Sequence, residues 1–451
     1  MSEMSESVSR SHVAFASRCS RTAAVPTALA AVLLLALSPA TLALDWEIER
    51  VDDAINWIGS GLDIVVADDG TPHIGHGTHP SQVIRYAVKQ GDTWLIEDVD
   101  HYPTGPGVRI ALDPDGNPAL AYIDWDMLAF ARRIGGVWQP ETVGRGQGGP
   151  LVFAEDGTPH IMYCNFDDPW NLRHAWKTGD TWETETADLT VASGYGVDVL
   201  LDDAGQLHVA HWAAPNYGDG PFETRYSWWD GSAWQNDVID NHGENCNVFR
   251  RGLALDSAGN PHLAYPLHGC WGSSPVKYAV REDGTWSFST IDNNVYSSAD
   301  CCLVLDATDA PHVVYGTGYS MSGGSSELRY AHLDGGGNWV VEVIDADGDA
   351  GEINGLALDS QGYLHVVYFR GRGEGQDGEV RYARSTTPVG ACAGDVDGDG
   401  DTDLSDLATL LSAYGSVPGD PNWNAACDFD ADGDVDLSDL AFVLSDYGCG
   451  G

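Results

Sequence analysis

Basic residues are the scarcest charged class in this 451-residue chain: Lys and Arg number 22 against 68 Asp and Glu, a formal charge of −46. So acidic a surface repels phosphate, which excludes nucleic-acid binding, and it favours solubility and cations. No Cys-x-x-Cys pair occurs among the nine cysteines, so nothing indicates zinc or dithiol redox chemistry. Long apolar runs are also missing beyond residue 43. The one run present, Ala28 to Leu37, is short, follows Arg10, Arg18 and Arg21, and precedes the small-residue stretch Thr41-Leu42-Ala43. Residues 1–43 read as a signal peptide, with an uncleaved anchor as the alternative. The rest of the chain reads as secreted or extracellular/periplasmic.

What is present is a repeat. A strand, an Asp/Gly turn and a second strand opening on His recur at His73, His160, His208, His262, His312 and His365, with Ala119 in the second copy. The offsets are 46, 41, 48, 54, 50 and 53 residues, the range of a four-stranded propeller blade. A third strand carries a basic-aromatic-small triplet, as in Arg85-Tyr86-Ala87 and Arg381-Tyr382-Ala383. A fourth opens on Trp and alternates onward, at Trp94, Trp138, Trp182, Trp234, Trp286 and Trp339.

The seventh copy lacks its Trp strand, and the stretch from Trp46 to Asp52, ahead of the first copy, supplies the missing pattern. The expected architecture over 44–388 is an all-β seven-bladed propeller whose last blade is completed by the N-terminal strand, which removes an exposed edge. The repeat is similar to the Asp/Gly-turn repeats of sialidase-like and lectin propellers. It lacks their Ser-x-Asp-x-Gly-x-Thr-Trp box, so the resemblance implies the blade pattern and no catalytic motif.

A residue present in six of seven copies serves each blade rather than one reaction. The His and the triplet Arg are therefore expected in a structural network with the turn acids Asp113, Asp202, Asp256, Asp306 and Asp359. A ligand site is expected where the copies differ, on the loops joining second to third strands. These carry Trp125, Trp170, Trp212, Tyr217, Trp271 and Tyr319, rings suited to stacking on sugars or, alternatively, to packing between blades. Asp63, Arg109, Asp198 and Arg251 form a mixed-charge ring at the mouth of the channel. Asp124, Asp126, Asp167, Asp168 and Glu223 are the loop carboxylates that a hydrolase or lyase would draw on.

Once Cys19 leaves with the leader, eight cysteines permit disulfides in an exported protein. The candidates are Cys246 with Cys270, Cys392 with Cys449, and one bond from vicinal Cys301-Cys302 to a neighbour.

After a linker at 389–393, residues 394–451 hold the sharpest chemistry. From Cys392 onward there are fourteen Asp and no Glu, Lys, Arg or His. Twelve of the Asp fall in two copies 33 residues apart. The first holds Asp395, Asp397, Asp399, Asp401, Asp403 and Asp406, and the second Asp428, Asp430, Asp432, Asp434, Asp436 and Asp439. Carboxylates at loop positions 1, 3, 5, 9 and 12, with Gly400 and Gly433 at the sixth, make the oxygen cage of an EF-hand-like Ca2+ site, one ion per loop. Position 12 is Asp instead of Glu, which shortens its reach. Each loop leads into an apolar-periodic helix, Leu404 to Tyr414 and Leu437 to Tyr447.

This segment resembles a type I dockerin over almost its full length. The resemblance implies calcium-dependent folding and docking to a cohesin-like partner or cell-surface scaffold, often in polysaccharide-degrading assemblies. Leu404-Ser405 and Leu437-Ser438 stand where dockerins often have Ser-Thr-like recognition residues, which leaves the partner's identity open. The favoured function is a non-catalytic propeller binding glycan or another extracellular ligand. The alternatives are a glycoside hydrolase or polysaccharide lyase, and a purely structural protein-binding propeller.

Overall fold

The computed structural model describes residues 44–451 apart from 56–60, 79–80, 102–106, 168–169, 191, 216–221, 243–245, 248–251, 270–273, 296–299, 319–325, 335, 372–377, 391, 393, 398–401, 403, 431 and 448–451. Each copy of the repeat occupies one antiparallel set of four strands. Five copies are separate four-stranded sheets. The second and third share a seven-stranded sheet through one long strand, Val137–Phe153, which is the last strand of one and the first of the next. That strand turns inward at Gly146, Gly148 and Gly149, all at positive φ. At Gly146 a Cβ would lie 2.3 Å from the Cys164 carbonyl oxygen, so only glycine fits.

The N-terminal strand Trp46–Ile55 pairs antiparallel with Gly378–Ser385, setting Glu49 opposite Tyr382, as the sequence pattern requires. Seven apolar clusters lie between consecutive repeats. The one around Leu62, Ile74, Val367 and Tyr382 joins the seventh repeat to the first.

The Asp/Gly turns form as expected. At Asp113 the side chain accepts from the Asp115 and Asn117 amides (2.9 and 2.8 Å), and Gly116 takes φ +78° to close the turn. The repeated His then reaches across the sheet. His312 contacts Asp306 (2.9 Å) and Tyr330 (2.6 Å), and His365 contacts Asp359 (3.0 Å) and Tyr382 (2.6 Å). Because the carboxylate can only accept, Nε2–H donates to Asp and Nδ1 accepts from the tyrosine hydroxyl. The expected Asp–His–Arg network is thus corrected to Asp–His–Tyr. The two irregular copies adapt: Arg132 takes Asp113 where Ala119 replaces His, and His174 replaces Tyr as partner of His160 (2.9 Å).

The triplet's basic residue has another role. Six residues after its Trp, every last strand but the one between the second and third repeats carries an acid that accepts from the next repeat. Asp188 meets Arg225 (2.8 Å), Asp240 meets Lys277 (2.7 Å), Asp292 meets Arg329 (2.7 Å) and Asp345 meets Arg381 (2.9 Å). Tyr265, Tyr315 and Tyr368 donate to the same carboxylates. Asp52, on the N-terminal strand, meets Arg85 of the first repeat in the same way (2.8 Å).

Burial pushes His73, His208, His262 and His365 below the ordinary imidazole range, and burial beside His174 holds His160 at about 4. These rings are neutral in the fold but protonate near pH 6.5 when unfolded, so between roughly pH 6.5 and 4 the unfolded chain binds more protons. Their contribution to stability is complete above that window and lost as pH falls through it. The thermal midpoint at pH 5 should lie below that at pH 7. An unchanged midpoint would place the rings in a charged state.

Candidate functional site

In the C-terminal segment, helices Leu404–Ala413 and Leu437–Ser445 pack through Leu410, Ala413, Val435, Val443 and the thiol Cys427. The twelfth-position acids organise both loops alike. Asp406 is buried in the first helical turn and accepts from the Val396 and Asp397 amides (2.6 and 3.1 Å). Asp439, equally buried, accepts from Phe429 (2.7 Å) and caps its helix through the Asp436 amide (2.8 Å).

Carboxylate oxygens of Asp395, Asp397 and Asp406 lie within 4.8 Å of one another, as do those of Asp428, Asp430 and Asp432. Two oxygens each about 2.4 Å from a calcium ion are at most about 4.8 Å apart, so both clusters fit that ion. Repulsion from Asp432 pushes the Asp434 carboxyl above its ordinary range, the electrostatic mark of an acidic cluster. Asp399, Asp401 and Asp403 lie outside the described residues. Leu404 and Leu411 are exposed on one helix, with Tyr414 just beyond its end, and Leu437 and Leu444 on the other, with Tyr447 just beyond its end.

On the strand repeats, a channel of about 190 Å³ is lined by Asp63, Arg109, Pro150, Asp198, Cys302 and Asn354, with Gly252 completing a contribution from every repeat. Asp63 and Asp198 accept from the Ile110 and Leu253 amides of the following repeats (3.2 and 3.0 Å), so both acids bridge strands as well as facing the channel. Arg251 lies outside the described residues. Cys301 and Cys302 are thiols, which corrects the expected disulfide; Cys302 instead donates to Asn354 Oδ1 (3.3 Å). The Cys270 and Cys449 positions are not described, so neither proposed cysteine pair can be placed.

The loop aromatics divide. Trp125 is 65% exposed and sits at φ +59°, a left-handed conformation that is costly for a bulky residue. Trp170 is 41% exposed and packs at a tilt against Phe166. Trp212 does not belong with them: it ends the strand Leu207–Ala213, stacks on Phe222 (5.0 Å, 18°) and is buried. Trp271, Tyr217 and Tyr319 lie outside the described residues.

Beside the exposed pair is Arg145, a residue not singled out in the sequence. It bonds Asp126 (2.7 Å) and reaches Asp167 (3.4 Å), and this hydrogen bond holds the Asp126 carboxyl below its ordinary range. Glu223 is likewise engaged, by Arg225 (2.6 Å). Asp168 lies outside the described residues, and Asp124 ends the strand just before Trp125.

Residues 393–445 match the model of the dockerin type I domain. No curated protein matches the chain. Among solved structures it is similar to an ulvan lyase of polysaccharide lyase family PL25 solved with -[GlcA(1-4)Rha3S]-, at 10% identity and TM-score 0.54, over 74% of this chain and 95% of that one. The polysaccharide lyase Uly1 gives 9% identity and TM-score 0.52, over 74% of this chain and 90% of the other. A six-bladed β-propeller lectin from Aleuria aurantia gives 12% and 0.45, over 65% and 98%. Such low identities concern the fold alone. Residues 393–445 are a type I dockerin domain, and the strand repeats before them share the all-β fold of the two lyases.

Proposed function

We propose that the repeats close into a seven-bladed propeller that binds glycan without turning it over. The chain is exported and held in an assembly by its calcium-loaded dockerin domain, with Asp395, Asp397, Asp399, Asp401, Asp403 and Asp406 around one ion and Asp428, Asp430, Asp432, Asp434, Asp436 and Asp439 around the other. Closure is supported by the channel that all seven repeats line and by Asp52, which joins the seventh repeat to the first as Asp345 joins the sixth to the seventh. Paired exposed residues on the two dockerin helices offer a cohesin-like partner matching apolar surfaces.

The observation that carries the binding reading is Trp125. A large ring held in solvent on a left-handed backbone costs about 1–3 kcal/mol, which packing does not explain and stacking on a sugar ring would. Binding is favoured over hydrolysis because Asp126 and Asp167 are tied to Arg145: a general acid needs a raised pKa, and that of Asp126 is lowered. On a glycan array the full chain should retain a defined set of polysaccharides, and Trp125→Ala should weaken retention about tenfold. Incubation with the hits should release neither reducing ends nor unsaturated products. Turnover abolished by one carboxylate substitution would make the protein an enzyme instead.

A further inference from the structure

Six of the seven last strands place an aspartate six residues after their Trp: Asp52, Asp100, Asp188, Asp240, Asp292 and Asp345. The seventh, between the second and third repeats, places Gly144 there. The receiving side of that junction is nevertheless intact. Arg173 occupies the position of Arg225, Arg329 and Arg381, and Tyr163 that of Tyr265, Tyr315 and Tyr368. Among the described residues Arg173 makes no ion pair, whereas Arg225, Arg329 and Arg381 each meet the acid of the preceding repeat, and its Nε is buried without a hydrogen-bond partner there. A Cβ at position 144 would stand 3.4 Å from the Tyr163 hydroxyl, so the position where neighbouring junctions hold a carboxylate adjoins that hydroxyl.

We propose that this junction seats a carboxylate supplied by the ligand, the uronate group of an acidic glycan. The inference rests on the glycan-binding reading above and gives it a substrate class. An unpaired, half-buried guanidinium is unfavourable, and an incoming carboxylate would make the charge-assisted bond that Asp345 makes to Arg381. The junction also differs in cover. The last strands at two other junctions end on their acids, Asp188 and Asp345, whereas here Val137–Phe153 continues unbroken into the next repeat. The exposed aromatics stand next to it: Arg145, adjacent to Gly144, accepts the Phe166 amide through its carbonyl (3.4 Å), and the Asp126 carbonyl accepts the Gly146 amide (2.8 Å). Trp170 and Trp125 are thereby fixed at the rim for stacking while Arg173 reads the acid.

The test uses the full chain with calcium, and as probes a panel of glucuronate-, galacturonate- and mannuronate-containing oligosaccharides, each with its carboxyl-reduced counterpart. Calorimetry should show a uronate oligosaccharide binding about ten- to a hundredfold more tightly than its reduced form. Arg173→Ala should remove that difference. Gly144→Asp, which restores the internal carboxylate at a position of ordinary φ, should remove it too while raising the thermal midpoint. That pairing of gain and loss would not follow from a damaged fold. Uronate binding unchanged in Gly144→Asp, or equal affinity for the reduced counterparts, would overturn the inference and leave glycan binding standing. No binding by any member of the panel or by neutral glycans would overturn both.

Discussion

Chelation of calcium is expected to abolish the helical signal of residues 394–451 and to leave the strand signal of the repeats unchanged. Fourteen aspartates between Cys392 and Gly451 face no lysine, arginine or histidine within the segment. The core that must hold them together is small, centred on Leu410, Ala413, Val435 and Val443. A module of this size rarely buries enough apolar surface to offset its own chain entropy, and mutual repulsion adds to the deficit. Bound cations supply the difference, stabilising the folded form by about 4 kcal/mol when free calcium is a thousandfold above the dissociation constant. Far-UV dichroism of the full chain in calcium and in chelator measures this, with loss of capture by an immobilised cohesin as the functional readout. Asp406→Ala should act as a partial chelation, because Asp406 ties the Val396 and Asp397 amides to the helix start. Equal helicity in both conditions would mean that the module folds without metal.

Much of this architecture was legible in the sequence because each element carries its own periodicity. The Trp-led alternation, the Asp/Gly turns and the displaced first strand all appear where the pattern places them. The misassigned partners also had a signal. Successive side chains in a strand point to opposite faces, so Arg381 and Tyr382 cannot both meet His365. Register puts Arg384 opposite His365 and Arg381 opposite Tyr368, leaving Tyr382 on the histidine's face. The aspartate six residues beyond each Trp repeats as regularly as the histidine, and its exception at Gly144 is visible before any coordinates. Trp212 was harder: its strand runs as far as Ala213, so a ring read as loop belongs to the sheet. Side-chain chemistry at the channel mouth was the least legible, because whether Asp63 faces a ligand or bridges to the Ile110 amide depends on the approach of two strands distant in sequence.

A chain beginning at residue 56 should fail to fold into a monomer. The removed strand, Trp46–Ile55, supplies every backbone bond to one edge of Gly378–Ser385, whose Val380, Tyr382 and Ala383 are buried. It also carries Val51 into the cluster between the seventh and first repeats and Trp46 against Tyr330 (5.7 Å). Loss of Asp52 leaves Arg85 with Asp98 alone and His76 facing no acid from that strand; breaking such a part-buried pair costs about 1–3 kcal/mol. Added to the lost apolar burial, this approaches the whole stability of an ordinary domain, about 5–15 kcal/mol. The bared edge would then pair with another chain, so size-exclusion chromatography should show dimers or aggregates in place of monomer. A peptide of residues 44–55 added in trans should recover part of the monomer, because the strand is needed for its pairing and not for its connection. If the truncated chain melts within a few degrees of the intact one, the N-terminal strand is an accessory to the fold.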